Sequence, residues 1–334
     1  MTASYDLVVV GAGPGGIAAA VTAAERGLHV ALLDDNHLPG GQIWRGLHAA
    51  SAASHPHGEA FLRWTSRLRG TRCTLLAGWR VVTAPAPQCL RIERDDEFRD
   101  IGYGRLILAT GARERFLPFP GWTLPGIMGV GGMQALVKAG LDVRGRTIVV
   151  AGTGPLLLAI AAGLARSGAR IAAICEQAPL ARLLAFGLSL ANFPGKIAEA
   201  ARYRSSVAQV PFRTGCWVRH AEGAGHVQRV TLTDGRKQWT VDCDWLACGF
   251  HLVPNLELPR LLGCALNEGC VSVDALRQSS VPGVACIGEI TGIGGMEKAI
   301  LEGEIAGLAA AGHDAEARAR APRLVRFERF ARNL

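Results

Sequence analysis

Lysine is scarce in this sequence, and positive charge is nowhere concentrated. Only four of the 36 basic residues are lysines, and the 32 arginines are spread along the chain without a long basic block or interleaved aromatic residues. A nucleic-acid-binding surface requires such clustering, so this class of protein is excluded. The net charge of +8 favours an anionic cofactor or an acidic partner instead.

Paired cysteines are also missing. The nine cysteines are scattered, none belongs to a CxxC pair, and their number is odd. The first apolar strand begins within the first few residues, so we expect no signal peptide. This pattern is typical of a cytoplasmic protein with reduced thiols.

The sequence contains no uninterrupted apolar run of membrane-spanning length. Between Arg146 and Arg166 lie 19 uncharged residues, which is near the length of a spanning helix. A Gly-Thr-Gly-Pro turn that begins at Gly152 divides this run, and it favours a strand followed by a helix. We therefore predict no transmembrane segment.

The remaining composition is that of a globular protein. The length of 334 residues suggests about two domains, and 49% hydrophobic against 19% charged residues excludes a disordered chain.

His55 and His57 have no carboxylate or cysteine cluster beside them. We interpret this pair as part of a surface loop and predict no metal site.

The first 35 residues contain the pattern around which the chain is organised. The apolar run Tyr5–Val10 is typical of a buried parallel strand. It is followed by three glycines at GxGxxG spacing, an alanine-rich helix, a second apolar run and an acid: Gly11, Gly13 and Gly16, residues 17–26, residues 29–33, and Asp34. This order predicts a dinucleotide-binding βαβ unit.

Each residue of the pattern has a chemical reason. Gly11 allows the tight turn, Gly13 lets a pyrophosphate approach the backbone, and Gly16 lets the helix pack close to the strand. The helix N-terminus carries about half a positive charge and presents free N–H groups. Asp34 follows Gly11 by 23 positions and can accept hydrogen bonds from ribose hydroxyls. The alternative is a βα unit in which the glycines serve packing alone.

A second copy of the pattern begins at Gly152. An apolar strand, a Gly-Thr-Gly-Pro turn, a helix and a second strand end at Glu176, which is 24 positions after Gly152. The third glycine position holds Leu157. The copy therefore predicts a second nucleotide fold, and it leaves open a bound nucleotide or a structural duplicate that has lost its ligand.

The glycine motifs together resemble a known layout. GAGPGG, GGQI, ATG, GTGP and IGE occur in this order, and the chain resembles flavoproteins similar to thioredoxin reductase. Closer segments, such as ATGARERFLPFPGW and IGEITGIGGMEKAILEGEIAG, resemble the FAD-binding subunit of amino-acid and opine dehydrogenase complexes. That group includes D-hydroxyproline dehydrogenase, opine oxidase, hydrogen cyanide synthase and the dye-linked proline dehydrogenases.

The resemblance implies an α/β fold with two Rossmann-like dinucleotide-binding domains of the glutathione and thioredoxin reductase type. The FAD domain is expected to be discontinuous, over residues 1–115 and 246–312, and the second nucleotide-binding domain to cover residues 116–245. An amphipathic C-terminal helix is predicted within residues 313–334, with Leu324, Phe327 and Phe330 at helical spacing. Whether it covers the chain's own core or docks on a partner is left open.

The resemblance also implies the cofactor sites. FAD would be held by the first glycine turn, the residues after the second strand, the GGQI loop, the ATG turn and the last glycine turn: Gly11, Ala12, Gly13, Pro14, Gly15, Gly16, Asp34, Asp35, Gly41, Gln42, Ile43, Val82, Ala109, Thr110, Gly111, Gly288, Glu289, Gly295 and Met296. A second nucleotide, NAD(P) or ATP, would lie at Gly152, Gly154, Leu156 and Glu176. Glu289 stands where the family usually has aspartate, and would hold the ribityl hydroxyls.

The sequence differs from the resembled proteins in two places, and each difference argues against one chemical function of this chain. Residues 129–134 read GVGGMQ, without the CxxC of the thioredoxin reductases, so disulfide reduction is not expected. Many of the resembled proteins have a cysteine-rich iron–sulfur segment at the C-terminal side, but the last cysteine of this sequence is Cys286. Any iron–sulfur cluster of the complex is therefore expected on a partner, a small iron–sulfur subunit. The resemblance further implies a catalytic partner subunit with a D-amino-acid-oxidase-like fold and its own flavin.

Three functions remain open on the sequence. The leading one is the FAD-binding subunit of a multi-subunit amino-acid or secondary-amine dehydrogenase, which relays electrons from its catalytic partner. The second is a stand-alone NAD(P)H-dependent flavin reductase, which requires a nucleotide at the second glycine turn. The third is a nucleotide-binding scaffold without electron transfer. No general acid or base stands out, so we assign no catalytic residue to this chain.

Overall fold

The computed structural model describes residues 3–47, 52 and 57–331. The chain forms two compact units: unit 1 contains the described residues up to Arg113 and from Pro254 onward, and unit 2 contains Glu114–Val253. His55, one of the two histidines assigned to a surface loop, lies outside the described residues.

The helices and strands follow one another in three chain segments. The first contains β1 Ala3–Val10, α1 Pro14–Ala24, β2 Val30–Asp34, α2 Gly58–Arg69, β3 Thr74–Ala77, β4 Arg80–Ala86, β5 Cys89–Arg94, β6 Glu97–Leu108 and β7 Ala112–Glu114. The second contains β8 Ile127–Gly129, α3 Val130–Lys138, β9 Thr147–Gly152, α4 Leu156–Arg166, β10 Arg170–Glu176, α5 Leu180–Ser189, α6 Pro194–Ser206, β11 Phe212–Thr214, β12 Trp217–Glu222, β13 Arg229–Thr233, β14 Gln238–Asp242 and β15 Trp245–Gly249. The third contains β16 Leu252–Pro254, α7 Glu257–Leu261, β17 Leu266–Asn267, β18 Cys270–Val271, β19 Val284–Cys286, α8 Gly295–Ala310, α9 Asp314–Arg320 and α10 Leu324–Ala331.

Unit 1 is built on a parallel sheet with the strand order β3-β2-β1-β6-β19. Residues 7–10 at the end of β1 are buried, which explains why this strand is a continuous apolar run rather than an alternating one. Val10 pairs with Leu33 of β2 and with Leu108 of β6. These three strands therefore end together, and the turns that follow them share one edge of the sheet.

Helices α1 and α8 approach each other through small residues. A Cβ atom at Gly15 would lie 2.9 Å from the Ala299 carbonyl oxygen, and one at Gly307 would lie 2.6 Å from the Ala19 carbonyl oxygen. A Cβ atom at Gly303 would overlap the Gly15 carbonyl oxygen. Glycine is required at these positions because the two backbones are in direct contact.

Unit 2 has a five-stranded parallel sheet with the order β11-β10-β9-β15-β8 and a separate antiparallel sheet, β12-β13-β14. The turn between β13 and β14 contains Asp234 and Gly235, as its sequence indicates. Val149, Val150 and Leu246 are buried in the centre of the parallel sheet.

The structure corrects one predicted boundary. The return to the FAD domain was expected at residue 246, but strand β15 lies between β9 and β8 in unit 2, with Leu246 paired to Val149 and to Ile127. The chain re-enters unit 1 only at Pro254. The pattern of an apolar strand followed by a glycine occurs in both units, so the sequence of β15 does not show to which sheet it belongs.

The C-terminal helices pack on unit 1. Leu324 is 2% exposed and lies in a cluster with Leu301, Ile305 and Leu308 of α8, against which Phe327 also packs. Of the two alternatives for this amphipathic segment, the structure places it on the chain's own core; the side chain of Phe330 and residues 332–334 lie outside the described part. Within the described ranges, no helix combines the length and apolar character needed to cross a membrane.

The α1–α8 contact gives a stability prediction. Gly303→Ala inserts a methyl group between two backbones, and overpacking of this kind costs about 1–3 kcal/mol. We expect a lower apparent melting temperature by circular dichroism. Gly163→Ala is the control, because its Cβ atom meets only the far end of Arg166 at 3.9 Å and alanine favours a helix. An equal loss in both variants would contradict the packing argument.

Candidate functional site

The first glycine turn is shaped by two glycines that have no room for a side chain. Gly11 has φ +105°, and a Cβ atom there would overlap the Ala109 carbonyl oxygen. A Cβ atom at Gly16 would overlap the Gly11 carbonyl oxygen. These two positions therefore set the distance between strand and helix, as the sequence pattern predicts.

Gly13 is different, because it faces open space. A Cβ atom built on it meets nothing within 4 Å, and its N–H donates to no group in the described part of the chain. Gly13 caps α1, and Pro14 is the first helical residue. A free N–H at a helix N-terminus in open space fits a bound phosphate.

Asp34 braces this turn from the end of β2. Its carboxylate accepts hydrogen bonds from the Ala12 N–H (2.5 Å), the Asn36 N–H (2.8 Å) and the Asn36 side-chain amide (2.8 Å). Asp34 is 7% exposed, so its carboxylate is held mainly by these donors of the turn. The pKa of the neighbouring Asp35 is raised by partial burial and by the charge of Asp34.

The GGQI loop lies directly against the turn. The Gly40 N–H donates to the Ala12 carbonyl oxygen at 2.7 Å, and a Cβ atom at Gly41 would lie 2.9 Å from the Gly13 Cα. The next two predicted residues, Gln42 and Ile43, are exposed. The structure thus brings this loop and the glycine turn together.

Val82 is placed apart from these residues. It lies in β4, and its side chain lines an open groove of about 1060 Å³ together with Leu76, Arg91 and Phe98. None of these neighbours belongs to the predicted site. The structure does not bring the Val82 side chain to the glycine turn.

The ATG turn after β6 is held by a residue that sequence reasoning missed. The Asn255 side-chain amide donates to the Thr110 carbonyl oxygen at 2.8 Å, and the Thr110 hydroxyl donates to the Asn255 carbonyl oxygen at 2.9 Å. The Asn255 N–H donates to the carbonyl oxygen of Gly111, which has φ +68°. Ala109 contacts Gly11, so the ATG turn borders the first glycine turn.

Glu289 lies at the last glycine turn and caps the start of α8. Its carboxylate accepts hydrogen bonds from the Gly294 N–H (3.1 Å) and the Gly295 N–H (2.9 Å). Burial raises its pKa, against the opposing effect of these two donors. Met296, the next predicted residue, packs on the core below α1.

A buried ionic network supports this turn, and sequence reasoning missed it. The fully buried carboxylate of Glu302 accepts hydrogen bonds from the Gly288 N–H (2.6 Å), Arg277 (3.0 Å) and the Thr291 hydroxyl (3.0 Å), and lies 2.9 Å from Lys298 Nζ. Lys298 also donates to the Gly288 carbonyl oxygen. The available signal was a Lys and a Glu four positions apart, Lys298 and Glu302, in a helix that also carries Glu297 and Glu304.

The second glycine turn in unit 2 has a different hydrogen-bond pattern. Glu176 is 2% exposed, and its carboxylate accepts from the Gly154 N–H (2.9 Å), the Thr153 hydroxyl (2.8 Å) and the Ala178 N–H (2.8 Å). Gly154 corresponds to Gly13, so the N–H that is free in unit 1 is already bonded here.

The helix that follows this turn also differs. Leu157, in the third glycine position, is 1% exposed and belongs to the core of unit 2. Helix α4 begins at Leu156, four residues after Gly152, whereas α1 begins three residues after Gly11. Leu156 itself is 42% exposed. Gly152 still contacts the Gly249 carbonyl oxygen, as Gly11 contacts that of Ala109.

Two pairs of cysteines meet in the fold although none is adjacent in sequence. A hydrogen bond to Cys286 lowers the pKa of Cys264 to about 6, and a hydrogen bond to Cys175 lowers the pKa of Cys216. All four thiols are buried. They are therefore inaccessible to a disulfide substrate.

The fold and the glycine turns define the class of protein. The family model for "Pyridine nucleotide-disulphide oxidoreductase" matches residues 5–311, and the chain belongs to this family. It is an oxidoreductase and a nucleotide-binding flavoprotein. Family membership supports FAD as the cofactor, and the free Gly13 N–H and its open surroundings fit a pyrophosphate.

Particular relatives are components of multi-subunit oxidases. The HcnB subunit of hydrogen cyanide synthase from Pseudomonas aeruginosa is 32% identical over 324 residues, which cover 90% of this chain and 69% of the relative. An opine oxidase subunit from Rhizobium meliloti is 30% identical over 332 residues, which cover 91% of this chain and 70% of the relative. The alpha subunit of sarcosine oxidase from the same organism is 34% identical over 198 residues, 54% of this chain and 20% of the relative.

Solved structures show the same fold. Thioredoxin reductase of T. acidophilum superposes with a TM-score of 0.71 at 20% identity, over 93% of this chain and 99% of that structure. L-proline dehydrogenase from P. horikoshii superposes with a TM-score of 0.69 at 18% identity, over 97% of this chain and 59% of that structure. The predicted α/β fold of the thioredoxin reductase type and the resemblance to this group of subunits are confirmed.

The open space at Gly13 gives a test of the cofactor site. The Cβ atom of Gly13→Trp meets nothing within 4 Å and the indole enters the open space, so we expect a folded protein that has lost most of its flavin absorbance. Leu156→Trp, at the start of the corresponding helix in unit 2, should keep its flavin. Unchanged flavin content in the Gly13 variant at an equal melting temperature would show that the pyrophosphate binds elsewhere.

The raised pKa of Glu289 gives a pH prediction. Between the ordinary value of 4.5 and the raised pKa, the folded chain binds more protons at Glu289 than the unfolded chain does. The free energy of unfolding therefore falls as pH rises through this interval. We expect Glu289→Gln to lack this fall, measured by denaturant unfolding from about pH 4 to pH 8. Parallel pH curves for the two proteins would refute the assignment.

Proposed function

We propose that this chain is the FAD-binding subunit of a multi-subunit dehydrogenase for secondary amines or amino acids, of the D-hydroxyproline or opine type. One observation carries the proposal: among the described residues the Gly13 N–H at the start of α1 has no acceptor, whereas Glu176 occupies the equivalent Gly154 N–H in unit 2. Unit 1 can hold a pyrophosphate with this donor, and the equivalent donor of unit 2 is taken. Electrons would then come from a partner subunit rather than from a nicotinamide nucleotide.

Unit 1 would hold FAD through the residues that surround the open space. Gly13 and the first turn of α1 would bind the pyrophosphate, and Asp34 would bind the ribose. FAD supplies the capacity to accept and pass on electrons. The Gly288–Glu289 turn and the N-terminus of α8 would lie at the other end of the cofactor, fixed by the Glu302 network.

The names of the relatives support the choice of substrate. Sarcosine and proline are secondary amino acids, and opines are secondary amines; all three occur in the names of similar proteins. The oxidised bond is then a C–N bond, and its oxidation is assigned to a partner subunit with its own flavin. No catalytic acid or base is assigned to this chain.

The partner subunits are part of the proposal. A catalytic subunit of the D-amino-acid-oxidase type would deliver the electrons, and a small iron–sulfur subunit would carry a cluster. The nine free cysteines fit a reducing compartment, so we place the complex in the cytoplasm.

A stand-alone NAD(P)H-dependent flavin reductase is the second candidate. A Cβ atom at Gly154 would meet nothing within 4 Å, so the second turn also borders open space. The carboxylate of Glu176 would favour NADH over NADPH, because it repels a 2′-phosphate. The occupied Gly154 N–H and the buried Leu157 argue against this candidate.

Anaerobic rapid mixing distinguishes the two candidates. The purified chain with bound flavin should not bleach within seconds of mixing with NADH, because unit 2 lacks the free phosphate donor. The complex with its partner should bleach on addition of a secondary amino acid such as sarcosine or D-hydroxyproline. Bleaching by NADH alone would establish the reductase, and a chain without any flavin absorbance would establish a scaffold.

A further inference from the structure

Two consecutive helices of unit 2 expose apolar side chains. Helices α5 and α6 connect β10 to β11, and neither contains a single buried residue among those described. In unit 1 the corresponding connection, from β2 to β3, contains α2, in which Gly58, Phe61, Trp64 and Thr65 are buried. A short helix in a folded protein is stabilised by packing an apolar face, yet no residue of α5 is buried within the described chain.

The exposed apolar residues of α5 form one stripe. Leu180, Leu184 and Leu188 are 57%, 60% and 78% exposed and are spaced four positions apart, which places them on the same side of the helix. Ile197 in α6 is 45% exposed. No charged residue occurs between Arg182 and Lys196. Exposed apolar residues grouped in this way are a feature of protein interaction sites.

The chain segment that carries the stripe has an excess of positive charge. Residues 177–213 contain five basic residues and one acid, Glu199. Lys196 pairs with Glu199 at 3.2 Å, whereas Arg182 is exposed and forms no ion pair with any carboxylate of the described chain. A second copy of the same surface would bring like charges together, which is unfavourable. A partner with carboxylates around an apolar centre is complementary.

We infer that the stripe Leu180–Leu184–Leu188, termed the α5 face, is the surface on which the amine-oxidising partner subunit docks. The inference rests on the proposed function, which requires such a subunit. Beyond the proposed function, the inference specifies where the partner contacts this chain. It also specifies that the partner's contact surface is apolar in the centre and acidic at the rim.

The test uses the complex as it exists in the source cells. The tagged chain is purified with its bound partners as wild type and as Leu184→Asp/Leu188→Asp. The partner is identified by a second flavin per chain and by dye reduction with sarcosine, proline or D-hydroxyproline. We expect at least a tenfold loss of the co-purified partner and of amine-dependent dye reduction in the double variant.

Controls separate docking from folding. The substituted leucines are exposed, so flavin absorbance and melting temperature of the isolated double variant should match the wild type. Leu136→Asp changes a leucine of α3 that is 48% exposed in the same unit, and it should retain the partner. Arg182→Glu should weaken the complex and make its dissociation less sensitive to salt.

Several outcomes would overturn the inference. Retention of the flavin-bearing partner by the double variant would place the docking surface elsewhere and leave the proposed function intact. A wild-type dimer that the double variant dissociates in light scattering would assign the face to a second copy. Binding of wild type, but not of the variant, to phosphatidylglycerol vesicles would assign it to a membrane.

The proposed function fails in a different way. If the wild-type chain brings down a partner without flavin or amine-dependent dye reduction, and the double variant releases that partner, the α5 face is a docking surface and the proposed function is wrong. The two failures are thus distinguished within one experiment.

Discussion

Unit 1 depends on the direct backbone contact between α1 and α8. Gly303 and Gly307 leave no side chain between the helices, so the last chain segment lies as close to the first as two helices permit. One consequence is that Ala299 contacts both Gly15 of the first turn and Gly288 of the last. Two turns separated by most of the sequence thereby lie against the same residue of α8.

In both units, the acid at the end of the second strand of the glycine motif accepts a hydrogen bond from the glycine turn. Asp34 in unit 1 and Glu176 in unit 2 bind different N–H groups of that turn. Asp34 accepts from the N–H of Ala12 and not from that of Gly13, whereas Glu176 accepts from the N–H of Gly154 itself. The longer side chain reaches one residue further along the turn. A single methylene, together with the leucine in the third glycine position, therefore separates a turn that fits a phosphate from one whose donor is occupied.

The buried charged residues Arg277, Lys298 and Glu302 lie together beneath the last glycine turn, at Gly288. Glu302 is completely buried, and it is tolerated there because Arg277, Lys298, Thr291 and the Gly288 N–H all lie within hydrogen-bond distance. Loss of one partner from such a group costs about 3–5 kcal/mol. The network therefore restrains the Gly288 turn, which as a glycine-rich loop would otherwise be flexible.

The sequence by itself determined the glycine turns, the acids after them, the α/β class and the two-unit layout, because these follow from strand periodicity and from glycine's local conformational freedom. Only the tertiary structure decided which N–H each acid occupies, that β15 belongs to unit 2, that Asn255 and Glu302 support the site, and that α5 is uncovered. These properties depend on distances between residues far apart in the chain. No local pattern encodes such distances, since the same residue types would serve equally well in a solvated loop or in an ordinary core.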